Sequence, residues 1–150
     1  MTRFLKSLLV AFSFVCAGAT FANAADVRLS ITNASAKTII VDAVPLCTNC
    51  TTSSATSISA GGFGVSTATA DSGATLMSYS IDYSNYFGTN FTEKGCRASI
   101  TVELTGGVIT NIVSWYWGTY TGNPSCTNIS SPQIAAGGAR INWSVRFNAS

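Results

Sequence analysis

The sequence predicts an all-β fold, a disulfide-stapled antiparallel β-sandwich or small barrel of six to eight strands. In several stretches apolar residues recur at every second position, which is the period of a half-buried strand. Turn-forming glycine, proline and asparagine separate these stretches, and beyond the N-terminal segment no stretch has the apolar spacing of a helix. An even number of cysteines remains after that segment, as expected for a disulfide framework.

The first strand is predicted directly after the N-terminal segment, where Val27, Leu29 and Ile31 alternate with polar residues. The β-branched run over residues 38–44 is predicted to return as its hairpin partner. Residues 48–62 are rich in Thr, Ser, Ala and Gly, and this composition predicts a long loop.

The same alternation predicts the remaining strands over residues 63–70, 77–83, 98–104, 108–117 and 140–147. The clearest hairpin has Thr105-Gly106-Gly107 as its turn, because consecutive glycines suit the tight connection between two strands. Residues 118–139 contain several glycines and prolines and are predicted to be loop.

The N-terminus is typical of a bacterial signal peptide. Arg3 and Lys6 precede an apolar stretch over residues 8–17, which is too short to span a bilayer comfortably. Ala22-Asn23-Ala24 matches the small-residue pattern at which export peptidases cleave. The sequence therefore predicts a signal peptide over residues 1–24, followed by one domain over residues 25–150 that is secreted or periplasmic.

Charge argues against nucleic acid as a partner. The whole chain has eight basic and six acidic residues, and removal of Arg3 and Lys6 leaves six of each. Binding to phosphates needs a clustered excess of Lys and Arg, which a mature chain without net charge does not provide. After cleavage no second apolar run of membrane-spanning length follows, so the mature chain is not expected to span a membrane.

Four cysteines remain in the mature chain. The preferred pairing is Cys47–Cys50, across a turn that Pro45 and Asn49 favour, with Cys96–Cys126 as the second bridge. A redox role for the Cys-x-x-Cys pair needs a helix N-terminus, which this stretch does not predict, and zinc binding needs a second close pair of ligands. Structural disulfides are therefore the favoured interpretation.

No arrangement of residues predicts catalysis, a metal site or a cofactor. The chain contains no histidine, which excludes Ser-His-Asp and Cys-His nucleophile systems. The six acidic residues are scattered without a spacing that singles out a catalytic pair. The Gly61–Gly64 run lacks the lysine and the strand-to-helix setting of a phosphate-binding loop.

The densest aromatic cluster is the strongest candidate for a function. It comprises Trp115, Tyr116, Trp117 and Tyr120, near the predicted end of a strand and before a loop that Cys126 would tether. Alternation places the two tryptophans on one face and Tyr116 on the other. One interpretation makes the tryptophans core and Tyr116 a lone surface residue. The other makes Tyr116 and Tyr120, with at most one tryptophan, an exposed patch that binds a glycan or a partner protein.

Two further functions stay open. The strand directly after the signal, the disulfide, and Gly138 before the alternating segment Arg140–Phe147 resemble subunits of chaperone-assembled pili. That resemblance implies a structural or self-assembling surface subunit, although the tyrosine usual near the end of such subunits is absent. A periplasmic inhibitor or a secreted effector is the third hypothesis. Whether the purified protein is monomeric separates the binding module from the assembling subunit.

Overall fold

The computed structural model of the chain describes residues 24–41, 44–85, 94–122 and 124–148. Apart from Ala24, the predicted signal peptide lies outside these residues. Within them the chain forms eleven strands and one turn of 3-10 helix, Ala136–Gly138. The strands are β1 (Asp26–Asn33), β2 (Ile39–Val41), β3 (Leu46–Thr48), β4 (Cys50–Ser54), β5 (Ser57–Ile58), β6 (Phe63–Ala70), β7 (Leu76–Asn85), β8 (Lys94–Thr105), β9 (Val108–Thr121), β10 (Ser125–Ile134) and β11 (Arg140–Asn148).

The strands form two sheets that pack face to face, which confirms the predicted all-β fold. The first sheet has the order β10-β11-β1-β6-β4, and the second has the order β5-β2-β7-β8-β9, with β3 added against β7. Eight of the eleven strands have five or more residues, and the other three are short additions to the second sheet. The pairing is antiparallel except between β1 and β11, which run parallel.

Period-two alternation decides which side chains enter the core. The inward residues of β1 and of β11 are fully buried, while the residues between them face outward. The inner faces of β7 and β8 cover them from the other sheet. The largest fully buried side chains are Trp143, Tyr79, Tyr83, Phe147, Leu29, Ile31, Ile39, Met77, Ile81, Ile141, Val27 and Val102. Removal of this apolar surface from water is the main stabilising contribution to the fold.

The predicted hairpin between residues 98 and 117 is present, and β8 and β9 are longer than the pattern indicates. Gly106 and Gly107 both have positive φ, at 60° and 81°. Residues other than glycine rarely adopt two such values in succession, and the type I′ hairpin turn requires them. The glycine pair therefore fixes the register in which β9 returns along β8.

The predicted hairpin between β1 and residues 38–44 is wrong. β2 pairs with β5 and β7 in the second sheet, whereas β1 lies between β6 and β11 in the first. The chain changes sheets after Asn33, whose buried amide Nδ2 donates to the carbonyl oxygens of Lys37 and Ile58, at 2.7 and 2.9 Å. These bonds satisfy backbone carbonyl groups beside the crossover and hold Asn33 at this position.

Two segments predicted to be loop contain strands. β4 and β5 lie within residues 48–62, and β10 occupies much of residues 118–139. Both β4 and β10 are edge strands of the first sheet, and many of their side chains are exposed on both faces. An edge strand without a buried face has no apolar alternation, so its sequence of Ser, Thr and Asn looks like a loop.

Both predicted disulfides are present, and each joins the two sheets. Cys47 lies in β3 and Cys50 in β4, with their Cα atoms 5.5 Å apart. Asn49 between them has a φ of 57°, and its side-chain Nδ2 donates to the Leu76 carbonyl at 2.8 Å. The second bridge links Cys96 in β8 to Cys126 in β10, with a Cα separation of 5.9 Å.

Candidate functional site on the outer face of the second sheet

The four aromatic residues of the predicted cluster lie on β9, and the two faces of the strand separate them. Trp117 is 8% exposed and belongs to the core, whereas Tyr116 and Tyr120 are 47% and 43% exposed on the outer face. Trp115 points inward like Trp117. Because β9 is an edge strand of the second sheet, Trp115 still remains 44% exposed. Its ring meets the buried Trp143 edge to face, with 5.8 Å between the ring centroids.

The two tryptophans therefore lie on the inner face of β9 and the two tyrosines on its outer face. Trp117 is paired with Ala98 of β8, and its indole is packed between the sheets. Its placement in the core leaves it unable to reach a ligand on the outer face. Trp115 contacts the core through its edge and is the single tryptophan of the cluster with substantial exposed surface, although on the other side of the strand from Tyr116.

The Tyr116 side chain extends along β9 toward Gly118 and Thr119. A Cβ atom on Gly118 would stand 2.6 Å from the Tyr116 Cζ atom, so only glycine leaves room for the ring. The Tyr116 hydroxyl donates to the Thr119 carbonyl at 3.1 Å, which holds the ring in this position. The outer end of the ring occupies the space beside Gly118, and the side chain remains about half exposed.

Tyr120 covers a second glycine, Gly95 on β8, where an added Cβ would stand 3.0 Å from the Tyr120 Cδ1 atom. The guanidinium carbon of Arg97 lies 4.7 Å from the centre of the Tyr120 ring, which is within cation–π range. Tyr116, Tyr120 and Arg97 thus form one surface, here called the tyrosine patch. Because its rings are fixed by glycine gaps and by a hydrogen bond, little side-chain entropy remains to be lost on binding.

An ion pair fixes Arg97 within the patch. The Asp82 carboxylate accepts from Arg97 Nε at 2.7 Å and from Nη2 at 2.6 Å, a bidentate geometry. The Asp82 side chain is 11% exposed and the Arg97 side chain 43%. These hydrogen bonds to Asp82 raise the pKa of Arg97 above its ordinary value. The pair leaves Arg97 Nη1 without a partner among the described residues.

Two shallow depressions adjoin the tyrosine patch and share Leu46 and Ser80. The first has a volume of about 240 Å³ and is lined by Leu46, Thr48, Ser78, Tyr79, Ser80, Ser99, Ile100 and Thr101. The second has a volume of about 210 Å³ and is lined by Val44, Leu46, Ser80, Ile81, Asp82, Arg97 and Tyr120. The exposed aromatic side chains therefore stand beside a concave surface with hydroxyl groups, an ion pair and apolar edges.

Sequence reasoning missed most of this surface. It singled out the aromatic cluster but placed it at the end of a strand that leads into a loop, whereas β9 continues to Thr121 and Cys126 lies in β10. Arg97 and Asp82 lie 15 residues apart in the chain and meet because β7 and β8 pair. The signal that was available is Gly118, two residues after Tyr116 on the same face of a strand, since a glycine inside a strand often marks a close approach.

Other features of the described residues are weaker candidates for a functional site. A depression of about 350 Å³ at the far end of β8 is lined largely by alanine and glycine, with Asp71 as its one charged residue. Within residues 24–41, 44–85, 94–122 and 124–148 no group of three or more Cys, Asp or Glu side chains is placed to hold a metal ion. In the same ranges no helix has the length and apolarity to cross a membrane.

Comparison with known proteins supports the fold alone. No family model and no curated protein matches the chain. A solved structure, the RahU protein in complex with a TRIS molecule, is similar with a TM-score of 0.52 and 15% sequence identity. The similarity covers 86% of this chain and 98% of RahU. It shows that the two chains share an overall fold, and at this identity it says nothing about a shared ligand.

Proposed function

We propose that the domain is a non-catalytic binding module, and that the tyrosine patch contacts its ligand, with a glycan favoured over a partner protein. The observation that carries the proposal is the fixed exposure of Tyr116 and Tyr120 beside two depressions. A tyrosine combines an apolar ring with a polar hydroxyl group, and at binding sites aromatic side chains contribute much of the free energy.

Export is part of the proposal. The two disulfides fit an oxidising compartment, either the periplasm or the exterior of the cell. Ala24 is exposed, whereas Ala25 is fully buried and its carbonyl accepts from the Ala70 backbone N–H at 2.8 Å. This supports cleavage after Ala24. The intact mass of the exported protein is expected to match residues 25–150 with four cysteines oxidised, and a retained N-terminus or free thiols would contradict it.

The test of the binding site is a glycan array probed with the wild type and with Tyr116→Ala/Tyr120→Ala. The double variant is expected to lose at least about 1 kcal/mol of binding free energy, about fivefold in affinity. Its melting temperature is expected to stay nearly unchanged, because both rings lie outside the core. Unfolding of the double variant would instead assign the two rings to the core.

Two further variants sharpen that test. Phe63→Ala removes an aromatic side chain that is 63% exposed on the outer face of the first sheet, and this control is expected to bind like the wild type. Gly118→Ala leaves Tyr116 in place but displaces its ring, because the new Cβ would stand 2.5 Å from the Tyr116 hydroxyl. It is expected to weaken binding about as much as Tyr116→Ala does. Full binding by Gly118→Ala would show that the ring position is unimportant.

A further inference from the structure

The depression between β3 and β8 has a floor of hydroxyl groups. Its floor residues, here called the hydroxyl slot, are Ser78, Ser80, Ser99 and Thr101, all of them half-buried. Ser78 Oγ and Thr101 Oγ1 are hydrogen-bonded to each other at 3.0 Å. The hydroxyls of Ser80 and Ser99 have no hydrogen-bond partner within the described ranges. A hydroxyl donates one hydrogen bond and accepts others, so this pair presents both functions to a ligand.

The slot results from one row of residues across four strands. Leu46, Ser80, Ser99 and Tyr116 are successive cross-strand partners, so two small side chains lie between two large ones. Neighbouring strands are about 4.8 Å apart, which places the backbones at the two ends of the row roughly 14 Å from each other. The depression therefore has a hydrogen-bonding floor with Leu46 at one side, and on the other side Tyr116 follows Ser99 as the next residue of the row.

A pyranose ring has the complementary chemistry. Its C–H groups form apolar faces that pack against Tyr116 and Leu46, and its rim of hydroxyls matches the donors and acceptors of Ser80 and Ser99. A flat peptide side chain or a lipid tail would leave those two hydroxyls buried without partners, which costs free energy. The observations therefore favour a sugar over an apolar ligand.

Charge selects between neutral and acidic sugars. Asp82, Arg97 and Glu103 are the charged residues that the described parts of β3, β7, β8 and β9 direct to this face. Asp82 neutralises Arg97 through both of its carboxylate oxygens, and Glu103 lies two residues beyond Thr101 in β8. The three charges sum to −1, so a ligand carboxylate would be repelled on balance.

We infer that the ligand is a neutral saccharide, with one pyranose ring seated in the hydroxyl slot between Leu46 and Tyr116. The inference rests on the proposed function and narrows it from a binding surface to a ligand class. It assigns Ser80 and Ser99 to hydrogen bonding with sugar hydroxyls, and it assigns the Asp82–Arg97 pair to the exclusion of acidic sugars.

The test uses the full chain with both disulfides formed and two matched pairs of probes. Methyl galactoside is compared with methyl galacturonide, and methyl glucoside with methyl glucuronide, because the members of each pair differ by one carboxylate. Titration is followed by backbone amide NMR. At least one neutral glycoside is expected to shift amide resonances saturably within residues 78–82 and 97–101, with an affinity about tenfold or more above that of its uronide. Preference for a uronide, or no response to either neutral glycoside, overturns the inference.

A matched pair of variants separates this inference from the proposed function. Ser99→Leu fills the slot, and Ser30→Leu makes the same change at a half-buried serine on the outer face of the first sheet. Ser99→Leu is expected to lose neutral glycoside binding about tenfold while Ser30→Leu keeps it. If Tyr116→Ala/Tyr120→Ala lowers binding but Ser99→Leu does not, the binding surface stands and the slot is wrong. If neither variant lowers binding, or if the patch binds only a protein, the slot is also refuted. Should Ser99→Leu fail to fold, the map of shifted resonances in the wild type decides.

Discussion

Two pairs of tyrosines on the second sheet have opposite surroundings. Tyr79 and Tyr83 on β7 point between the sheets and are 1% and 0% exposed. Tyr116 and Tyr120 on β9 point outward, where each ring lies against a glycine and each side chain remains about half exposed. The inner pair fills the core, and the Tyr79 hydroxyl forms a short hydrogen bond with Ser66. The outer pair adds little to the core and is available for contact with a ligand.

The difference shows that residue type alone does not tell a structural aromatic side chain from a functional one. In a strand, the parity of the position decides which side of the sheet a side chain reaches. What then matters is whether another layer covers that side. The first sheet covers the inner face of β7, and nothing in the described ranges covers the outer face of β9 at Tyr116.

The largest expected effect comes from alanine substitution on each face of the sheet, which tests whether only the inner tyrosines stabilise the fold. Tyr83→Ala is expected to lower the free energy of unfolding by about 3–5 kcal/mol, because it leaves a cavity between the sheets. Tyr116→Ala is expected to change it by no more than about 0.5 kcal/mol, as an exposed substitution does. Urea unfolding followed by far-UV circular dichroism measures both. Equal losses from the two variants would show that the outer pair is structural as well.

The next largest effect on stability is expected from the two disulfides, which tie the first sheet to the second. Both disulfides join the sheets, but they close chain segments with sequence separations of 30 and 3 residues. On the chain-entropy argument, loss of Cys96–Cys126 costs about 4 kcal/mol and loss of Cys47–Cys50 about 2 kcal/mol. Double alanine variants of each pair, compared by thermal unfolding, are expected to follow that order. A peptide map that joins Cys47 to Cys96 or Cys126 would refute the pairing.

Alkaline pH tests the burial of the inner pair, Tyr79 and Tyr83, without removing a ring. Burial raises the pKa of Tyr83 from 10.0 to about 12, and burial also raises the pKa of Tyr79. The unfolded chain therefore releases these protons first. Their contribution to stability is complete below pH 10 and is lost as the pH rises toward 12, by about 1.4 kcal/mol per pH unit for each group.

A phenylalanine variant shows whether the Tyr83 hydroxyl causes that loss of stability at alkaline pH. Tyr83→Phe is expected to fold well, since the Tyr83 hydroxyl is buried without a hydrogen-bond partner in the described residues. It is expected to make the fall in stability between pH 10 and 11 shallower. An unchanged slope in Tyr83→Phe would contradict the burial of that hydroxyl as the cause of the loss.

The sequence predicts the strands that have one buried face, because alternation is a direct record of that burial. β1, β7, β8 and β11 were found in this way. β10 was missed because an edge strand with exposed side chains on both faces needs no alternation. The partner of β1 was missed because register and sheet membership depend on contacts far along the chain. The parallel pairing of β1 with β11 joins the two ends of the described domain.

For the candidate site too, the sequence predicts the face on which a residue lies but not the residues that it meets from other strands. Alternation separates Tyr116 from Trp117, and the exposed tyrosines agree with the interpretation of a surface patch. The prediction that the patch binds a ligand remains to be tested. The hydroxyl slot was beyond sequence reasoning, since Leu46, Ser80, Ser99 and Tyr116 come from four strands. Serine is too common in this chain for its side chains to indicate a site before the pairing is known.

A crystal structure of the protein with a bound neutral saccharide tests the central claim most directly, namely that the outer face of the second sheet is the binding face. The expected result is a pyranose ring between Leu46 and Tyr116, with its hydroxyls bonded to Ser80 and Ser99 and with the Asp82–Arg97 pair intact. A saccharide bound on the outer face of the first sheet or at the alanine-lined end of the sandwich, with the tyrosine patch left in solvent, would contradict it.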